Sequence, residues 1–373
     1  MGEGAGFFTG QPPGPGLFAL HVDLGRDWRG GQGQALLLMQ GLQARGHAVE
    51  LAAFEASPLA QRARAAGLLV HPIAAGGGRL GAALALGRRL GRGGVQLVHC
   101  HDAHGLTAAW LAGVHRRSAL VAARRLAYPL SGSRLGLARY RAARRIVAVS
   151  QFVRGTVIAS GLSSERVDVV YDGVVVPPLP SQTEREAARR LWTSNPRAPL
   201  VGCVGYLLPE KGQEALVRAM PLVLKAQPDC RLVLAGDGPC RSRLERLAGE
   251  LKVARSICFA GHVEDVCTVY RALDVFLFPS LAEPLGSSLL AAMAQALPTV
   301  GVARGAVPEI IQHGRDGLLV AASEPDEIAT ATLRLLHDPT LARALGAAAR
   351  ETILARFSAD RMVEDTLSVY RRL

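Results

Sequence analysis

The chain of 373 residues reads as an α/β protein made of two doubly wound domains, each with a parallel sheet covered by helices on both faces. Three observations predict this class. Short β-branched or aliphatic runs alternate with helical patterns along the whole chain, as repeated βαβ units do. The segment 171–182, YDGVVVPPLPSQ, breaks the alternation with two adjacent prolines and a third close by, which makes a stiff linker. The length also exceeds what one ordinary core uses. The expected boundaries are a loose Gly- and Pro-rich tail at 1–16, a first domain at 17–180, a second at 181–356 and a terminal helix at 357–373.

In the first half the strand candidates are 17–22, 48–53, 68–73, 95–100, 119–123, 145–149 and 167–170. Helical stretches such as 32–45, 80–91 and 105–115 lie between them, and Gly46 and Gly161 stand where helix C-caps are expected. The second half restarts the pattern with strands at 200–204, 231–235, 256–259, 275–278, 299–302 and 318–320. Beyond these the chain is helical, ending in 358–372.

Hydrophobic content of 49% with 20% charge describes a folded chain. The net charge of +12 is uneven: residues 1–183 carry 20 arginines against 9 acids, whereas 184–373 carry 23 basic and 22 acidic residues. The first half therefore holds nearly all of the surplus, which suits an anionic partner such as a membrane face, a lipid-linked phosphate or a nucleic acid. Aromatic content of only 5% leaves few stacking platforms for nucleic acid, which is the least favoured of the three. Solvated arginine faces are the plain alternative. None of the six cysteines forms a C-x-x-C pair, and several lie in apolar runs, so they read as small buried hydrophobes of a reducing compartment. The first residues lack the basic and apolar regions of a secretory signal, and no apolar run approaches the ~20 residues of a membrane span. The expected location is the cytoplasm, peripheral to an anionic membrane surface.

The stretch 273–320 is the most informative. The strand LDVFLFPS breaks at Pro279, a short loop carries Glu283, and Pro284 and Leu285 lead into a helix that opens on Gly286, Ser287 and Ser288. A helix start offers unpaired N–H groups and the positive end of its dipole to a phosphate. Glu283 beside it can accept hydrogen bonds from hydroxyls, so the pair suggests a phosphorylated sugar.

Lys211 is the only lysine at a loop–helix junction; it follows a glycine turn at Gly205 and can neutralise a diphosphate leaving group. A surface lysine is the plain alternative. LAGDGP reads as a structural turn with Asp237 as a helix cap. Gly30, Gly31 and Gly33 follow the first strand, but their spacing is not G-x-G-x-x-G and no acid follows at ~20 residues, which argues against a nicotinamide dehydrogenase. That loop can still admit a diphosphate or acceptor to the backbone. His99, His101 and His104 lie at a strand end; alternation turns His99 and His101 to one face, and their spacing with His104 fits no standard metal cluster. One of them is expected to touch a substrate hydroxyl, and no nucleophilic triad can be inferred.

Taken together, VGYLLPEKG, LAGDGP, FAGHVEDV and FPSLAEPLGSSLLAAMAQALPTV, with GLQARGHAVEL, VHCHD, RIVAVSQFVRGTVIASGL and VVYDGV upstream, resemble the GT-B glycosyltransferases of the retaining family 4 type over nearly the whole chain after residue 16. The resemblance implies two Rossmann-like domains facing a cleft, a last helix crossing back to the first domain, a nucleotide-sugar donor as co-substrate and no metal or other cofactor. It places the diphosphate on Lys211 and the helix start Gly286–Ser288, the donor sugar's hydroxyls on Glu283, the reacting centre near His101, and the base against Gly261, His262 and Val263. Gly30, Gly31, Gly205, Tyr206, Pro284 and Leu285 complete the donor site, and the leaving phosphate takes the acceptor proton. The acceptor is expected to be a glycan, lipid-linked or other envelope molecule.

Two positions depart from the family pattern. Ala291 stands where a second glutamate grips ribose, and Tyr206 where many relatives carry arginine. Arg26 or Arg29 is a candidate for the missing charge. A non-catalytic relative that binds a sugar or a partner is the second reading, and a nucleotide-sugar epimerase the third.

Overall fold

The computed structural model describes residues 16–130 and 134–373; the expected tail, apart from Gly16, lies outside them. The chain divides into two compact units: unit 1 contains residues up to Gly173 together with Ser358–Leu373, and unit 2 contains Val174–Phe357. The crossing falls before the expected boundary because the proline segment is tied into unit 2, where Arg350 Nη2 donates to the Pro177 carbonyl at 2.7 Å.

Unit 1 carries strands β1 (Phe18–Asp23), β2 (Ala48–Phe54), β3 (Leu69–Ile73), β4 (Leu97–Cys100), β5 (Ala119–Arg124), β6 (Arg145–Ala148) and β7 (Val167–Val169). Helices α1 (Gly30–Ala44), α2 (Pro58–Ala65), α3 (Gly78–Gly91), α4 (Ala103–Leu111), α5 (Arg134–Ala142) and α6 (Gln151–Ala159) connect them. The seven strands are parallel, in the order β3-β2-β1-β4-β5-β6-β7. Every residue of β4 and all but the first of β1 are buried, as in a sheet with both faces covered. Gly46 and Gly161 adopt the left-handed conformation just past their helices, with φ of 78° and 90°.

Unit 2 begins with α7 (Gln182–Arg190). It continues through β8 (Leu200–Val204), α8 (Gln213–Ala226), β9 (Arg231–Ala235), α9 (Arg241–Glu250), β10 (Ile257–Gly261), α10 (Cys267–Ala272) and β11 (Val275–Phe278). Then follow α11 (Ser287–Ala294), β12 (Thr299–Val302), α12 (Val307–Ile310), β13 (Leu318–Val320), α13 (Pro325–His337) and α14 (Pro339–Arg356). Its six strands are also parallel, in the order β10-β9-β8-β11-β12-β13. In both sheets the order reverses beside the first strand, between β1 and β4 and between β8 and β11. Such switch points leave a crevice at the carboxyl ends of the strands, where ligands of open α/β sheets bind.

The last helix, α15 (Ala359–Tyr370), belongs to unit 1. Its Met362, Val363, Leu367 and Tyr370 pack in one core with Leu38, Leu51 and Leu97. Unit 2 has its own core around Leu216, Leu232, Leu234, Leu277 and Val300. All six cysteines are free thiols, and burial pushes Cys203 and Cys230 up to about 12, consistent with unreactive packing groups.

Candidate active site

The loops at the switch point of unit 2 carry most of the expected donor-binding residues. After β8 the chain runs through Gly205 and the exposed Tyr206 into a short turn, Pro209–Lys211, and then Gly212, the N-cap of α8. Gly212 has a φ of 71°, and a Cβ there would lie 2.2 Å from the Pro279 carbonyl oxygen after β11. The two loops therefore touch backbone to backbone, and Leu281 N–H donates to Glu210 O at 2.8 Å.

This contact aligns Lys211 with Glu283: Nζ donates to Oε2 at 2.6 Å, and Ser280 Oγ donates to the same oxygen at 3.0 Å. The Glu283 side chain is 9% exposed and the Lys211 side chain 30%. From the far side, the loop after β12 pins the Glu283 backbone. Ala306 N–H donates to its carbonyl at 3.0 Å, and a Cβ on Gly305 would come within 2.4 Å of that oxygen.

Gly286, with a φ of 115°, is the N-cap of α11. A side chain there would press on the Phe278 ring and on Glu283 Cγ. The amide-bearing start of α11 thus stands directly beside the Lys211–Glu283 pair. Ser287 is exposed and Ser288 half-buried, one turn before the half-buried Ala291 on the same face. Pro284 is half-buried and Leu285 buried beneath this turn.

Asp237 does not cap α9, whose N-cap is Cys240; its carboxylate accepts from Gly238 N–H at 2.8 Å instead. The GDGP turn braces the β8 loop, with Leu207 N–H donating to Asp237 O at 2.9 Å and Gly236 against Gly205 O. Gly261 O accepts from Gly236 N–H at 2.8 Å, which joins the β10 loop to the same rim, with His262 exposed and Val263 half-buried.

Unit 1 gathers a second group at its own switch point. His21 of β1 lies in register with His99 of β4, and His101 follows at the strand end. All three imidazoles are buried, with ligand-type atoms within 4.8 Å of one another. His21 Nδ1 and His101 Nε2 are 2.8 Å apart, and His99 Nδ1 is 2.6 Å from the Tyr370 hydroxyl on α15. Arg125 Nη1 lies 3.3 Å from His101 Nδ1, while its Nε donates to both Asp172 carboxylate oxygens at 2.9 and 3.2 Å. Burial pushes His21 down to about 3, with the Arg125 charge adding to it. Burial first, then neighbouring imidazoles and Arg125, holds His99 and His101 well below the ordinary range.

Neutral imidazoles are the form that binds metals, but Arg125 disfavours a metal at His101. A guanidinium only donates, so Nδ1 must accept and the ring proton must sit on Nε2. A metal at Nε2 would have to expel that proton beside a fixed cation.

His104 stands apart from this group: it is exposed and its Nδ1 accepts from Arg79. The glycine loop lies close, since a Cβ on Gly31 would lie 3.8 Å from Arg125 Cδ, and Gly30 is exposed at the start of α1. Arg26 stacks on Phe54 at 5.3 Å and Arg29 pairs with Asp27 at 3.4 Å, so the arginine found beside His101 is Arg125. His21, Arg125, Asp172 and Tyr370 were not legible as site residues. The available signals were the β1–β4 register and an arginine just past the end of β5.

Comparison with known proteins agrees with this division. The model for glycosyl transferases group 1 matches residues 184–352, and that for glycosyltransferase family 4 matches residues 28–176. The chain belongs to the family 4 type of GT-B glycosyltransferases. It resembles the GDP-mannose-dependent alpha-(1-6)-phosphatidylinositol monomannoside mannosyltransferase of Mycobacterium tuberculosis, at 35% identity over 190 residues, 48% of this chain and 49% of that protein. It also resembles the corresponding enzyme for the monoacylated substrate from Corynebacterium glutamicum, at 33% identity over 48% of this chain and 49% of that one. The chain thus spans about half the length of these relatives. Among solved structures, Anabaena Alr3699/HepE in complex with UDP and glucose has the same fold, with a TM-score of 0.84 and 19% identity over 96% of this chain and 100% of that one.

Proposed function

We propose that the chain is a retaining, metal-independent glycosyltransferase that moves a sugar from a nucleotide-sugar donor to a lipid-linked or other envelope glycan acceptor. The observation that carries this reading is the Lys211–Glu283 pair, 2.6 Å apart beside the start of α11. The donor's diphosphate seats on the α11 amides and takes Lys211 from Glu283. Glu283 is then free to accept hydrogen bonds from the sugar's hydroxyls. The C1–O bond to the diphosphate breaks as Lys211 and the helix dipole draw off charge. The acceptor oxygen bonds to C1 on the same face, and its proton passes to the departing phosphate oxygen. His101 donates a hydrogen bond from Nε2 to a substrate hydroxyl.

The names of the M. tuberculosis and C. glutamicum relatives support GDP-mannose and a phosphatidylinositol-type acceptor as the first pair to try; the structure of HepE in complex with UDP-glucose supports UDP-glucose as the alternative donor. Among the described residues no helix is long and apolar enough to cross a membrane. The basic surplus before residue 184 supports peripheral attachment to anionic lipid.

The test is incubation with GDP-mannose and UDP-glucose, with and without phosphatidylinositol vesicles and with EDTA, followed by NMR of the product's anomeric configuration. Retention that survives EDTA is expected; an inverted linkage or loss of turnover in EDTA would refute the mechanism.

Ala291 supports a second reading, a binding protein without turnover, since this half-buried position one turn after Ser287 offers ribose no carboxylate. Donor binding without release of GDP or UDP under any condition would favour it. Conversion of the donor without an acceptor would instead indicate an epimerase.

A further inference from the structure

The basic group at the β1–β4 switch point has an internal logic that the donor site does not use. Arginine has no acceptor and does not lose its proton. The nitrogen of His101 that faces Arg125 Nη1 at 3.3 Å is therefore an acceptor, and the proton of the neutral ring is on Nε2. That Nε2–H points at His21 Nδ1, 2.8 Å away. The ring centroids lie 5.1 Å apart with planes 9° from parallel, as for two imidazoles joined end to end in one plane. His21 Nδ1 accepts, so its own proton sits on Nε2, a buried atom with no partner among the described residues. Arg125 in turn cannot rotate away, because its Nε is held by both oxygens of Asp172.

We propose that Arg125, clamped by Asp172, is a positioning residue that locks His101 in the Nε2–H tautomer, with His21 as the resting acceptor of that proton. Arg125 touches no reacting atom in this account; it acts through His101, and the proposal rests on the reading that His101 donates to a substrate hydroxyl. When substrate arrives, Nε2–H transfers its hydrogen bond from His21 to the substrate oxygen with no change of tautomer.

The groups that act on His101 from the elements packed on it are His99 of β4, His21 of β1 and Arg125 after β5, and Asp172 after β7 acts through Arg125. Tyr370 of α15 reaches it only through His99. Removing the Arg125 charge takes away one of the influences that hold His101 down. The acidic limb of the rate profile should then move to higher pH.

The test has three arms. Nitrogen NMR of the free, histidine-labelled protein should show His101 protonated at Nε2 and not at Nδ1. An Nδ1–H signal overturns the lock regardless of activity. Arg125→Met should lower kcat about a hundredfold with little change in donor KM, move the acidic limb upward and populate Nδ1–H. Arg125→Lys, which keeps one donor and the charge, should recover part of the loss. Asp172→Asn should give an intermediate effect. Unchanged kcat and tautomer in a folded Arg125→Met, verified by near-ultraviolet circular dichroism, overturns the proposal.

His101→Ala separates the two ideas, with GDP-mannose and UDP-glucose as the probes. If it keeps full turnover, the reading of His101 fails and with it the lock's purpose. If it loses turnover while Arg125→Met keeps it, only the lock fails.

Discussion

Lys211 and Glu283 neutralise each other across one short contact, and that contact explains why both tolerate partial burial. A buried ion pair adds little net stability, because desolvation offsets most of the attraction. On the proposed reading its value lies in exchange, since a diphosphate is a better partner for the ammonium than a carboxylate is. Lys211→Met is therefore expected to lower kcat/KM at least about a hundredfold, measured by release of GDP or UDP, and also to lower donor-free stability, because it leaves the Glu283 carboxylate buried without its counter-charge. A variant within threefold of the parent would sink the role assigned to Lys211. Ala291 tests the other half of the grip. Restoring a carboxylate one turn beyond Ser287 should add a charge-assisted bond of ~1.5–3 kcal/mol. Ala291→Glu should thus bind the nucleotide about ten- to a hundredfold more tightly by calorimetry, and no gain would mean that ribose is held elsewhere.

At the scale of elements, the sequence was a good guide where backbone periodicity governs. β8, β9, β11, β12 and β13 fall on the expected residues, and the strands of the first half differ from expectation only at their ends. Except at the sheet edges, where β3 is largely exposed or half-buried, these runs are mostly buried on both faces, so their apolar pattern is easily seen. The loops proposed to hold the donor were legible as loops for a related reason: the helix start at Gly286 leaves a local signature in glycine and serine. The histidine cluster was not. Its members come from β1, β4, the ends of β5 and β7, and α15, and only strand register unites them. Asp237 misled because a carboxylate before a helix can turn back on its own loop. Among loop positions, Gly212 is the sharpest test, because left-handed backbone and the Pro279 carbonyl both exclude a side chain. Gly212→Ala should cost at least about 2 kcal/mol, or ~5 °C in the Tm of a domain this size. An unchanged melting curve would mean that the two loops are not in contact.

For the molecule as a whole, acid should act on the two units unequally. Free imidazoles titrate near 6.5, whereas folded His21 lies at about 3 and His99 and His101 well below their usual value. Between those limits the unfolded chain binds more protons, so stability falls as pH drops from about 6.5. Asp23, raised to about 6 by burial and by Asp102, and Asp172, raised by burial, act in the opposite sense, since their folded forms bind the extra proton, but they are two groups against three. Hydrogen-exchange protection in β1 and β4 should therefore drop between pH 7 and pH 5 while β8 and β11 keep theirs. Equal loss in both sheets would contradict the assignment.

The order in which the chain visits its two units also constrains its birth. Unit 1 is interrupted at Gly173 and completed only by Ser358–Leu373. On the ribosome its sheet must wait, uncapped, while all of unit 2 is translated, because the side chain that meets His99, Tyr370, follows unit 2 in the chain. Unit 2 has no such debt and can close as soon as Phe357 clears the exit tunnel. The nascent half-sheet of unit 1, with Leu38, Leu51 and Leu97 lacking their α15 cover, is the stage at which a chaperone has something to hold.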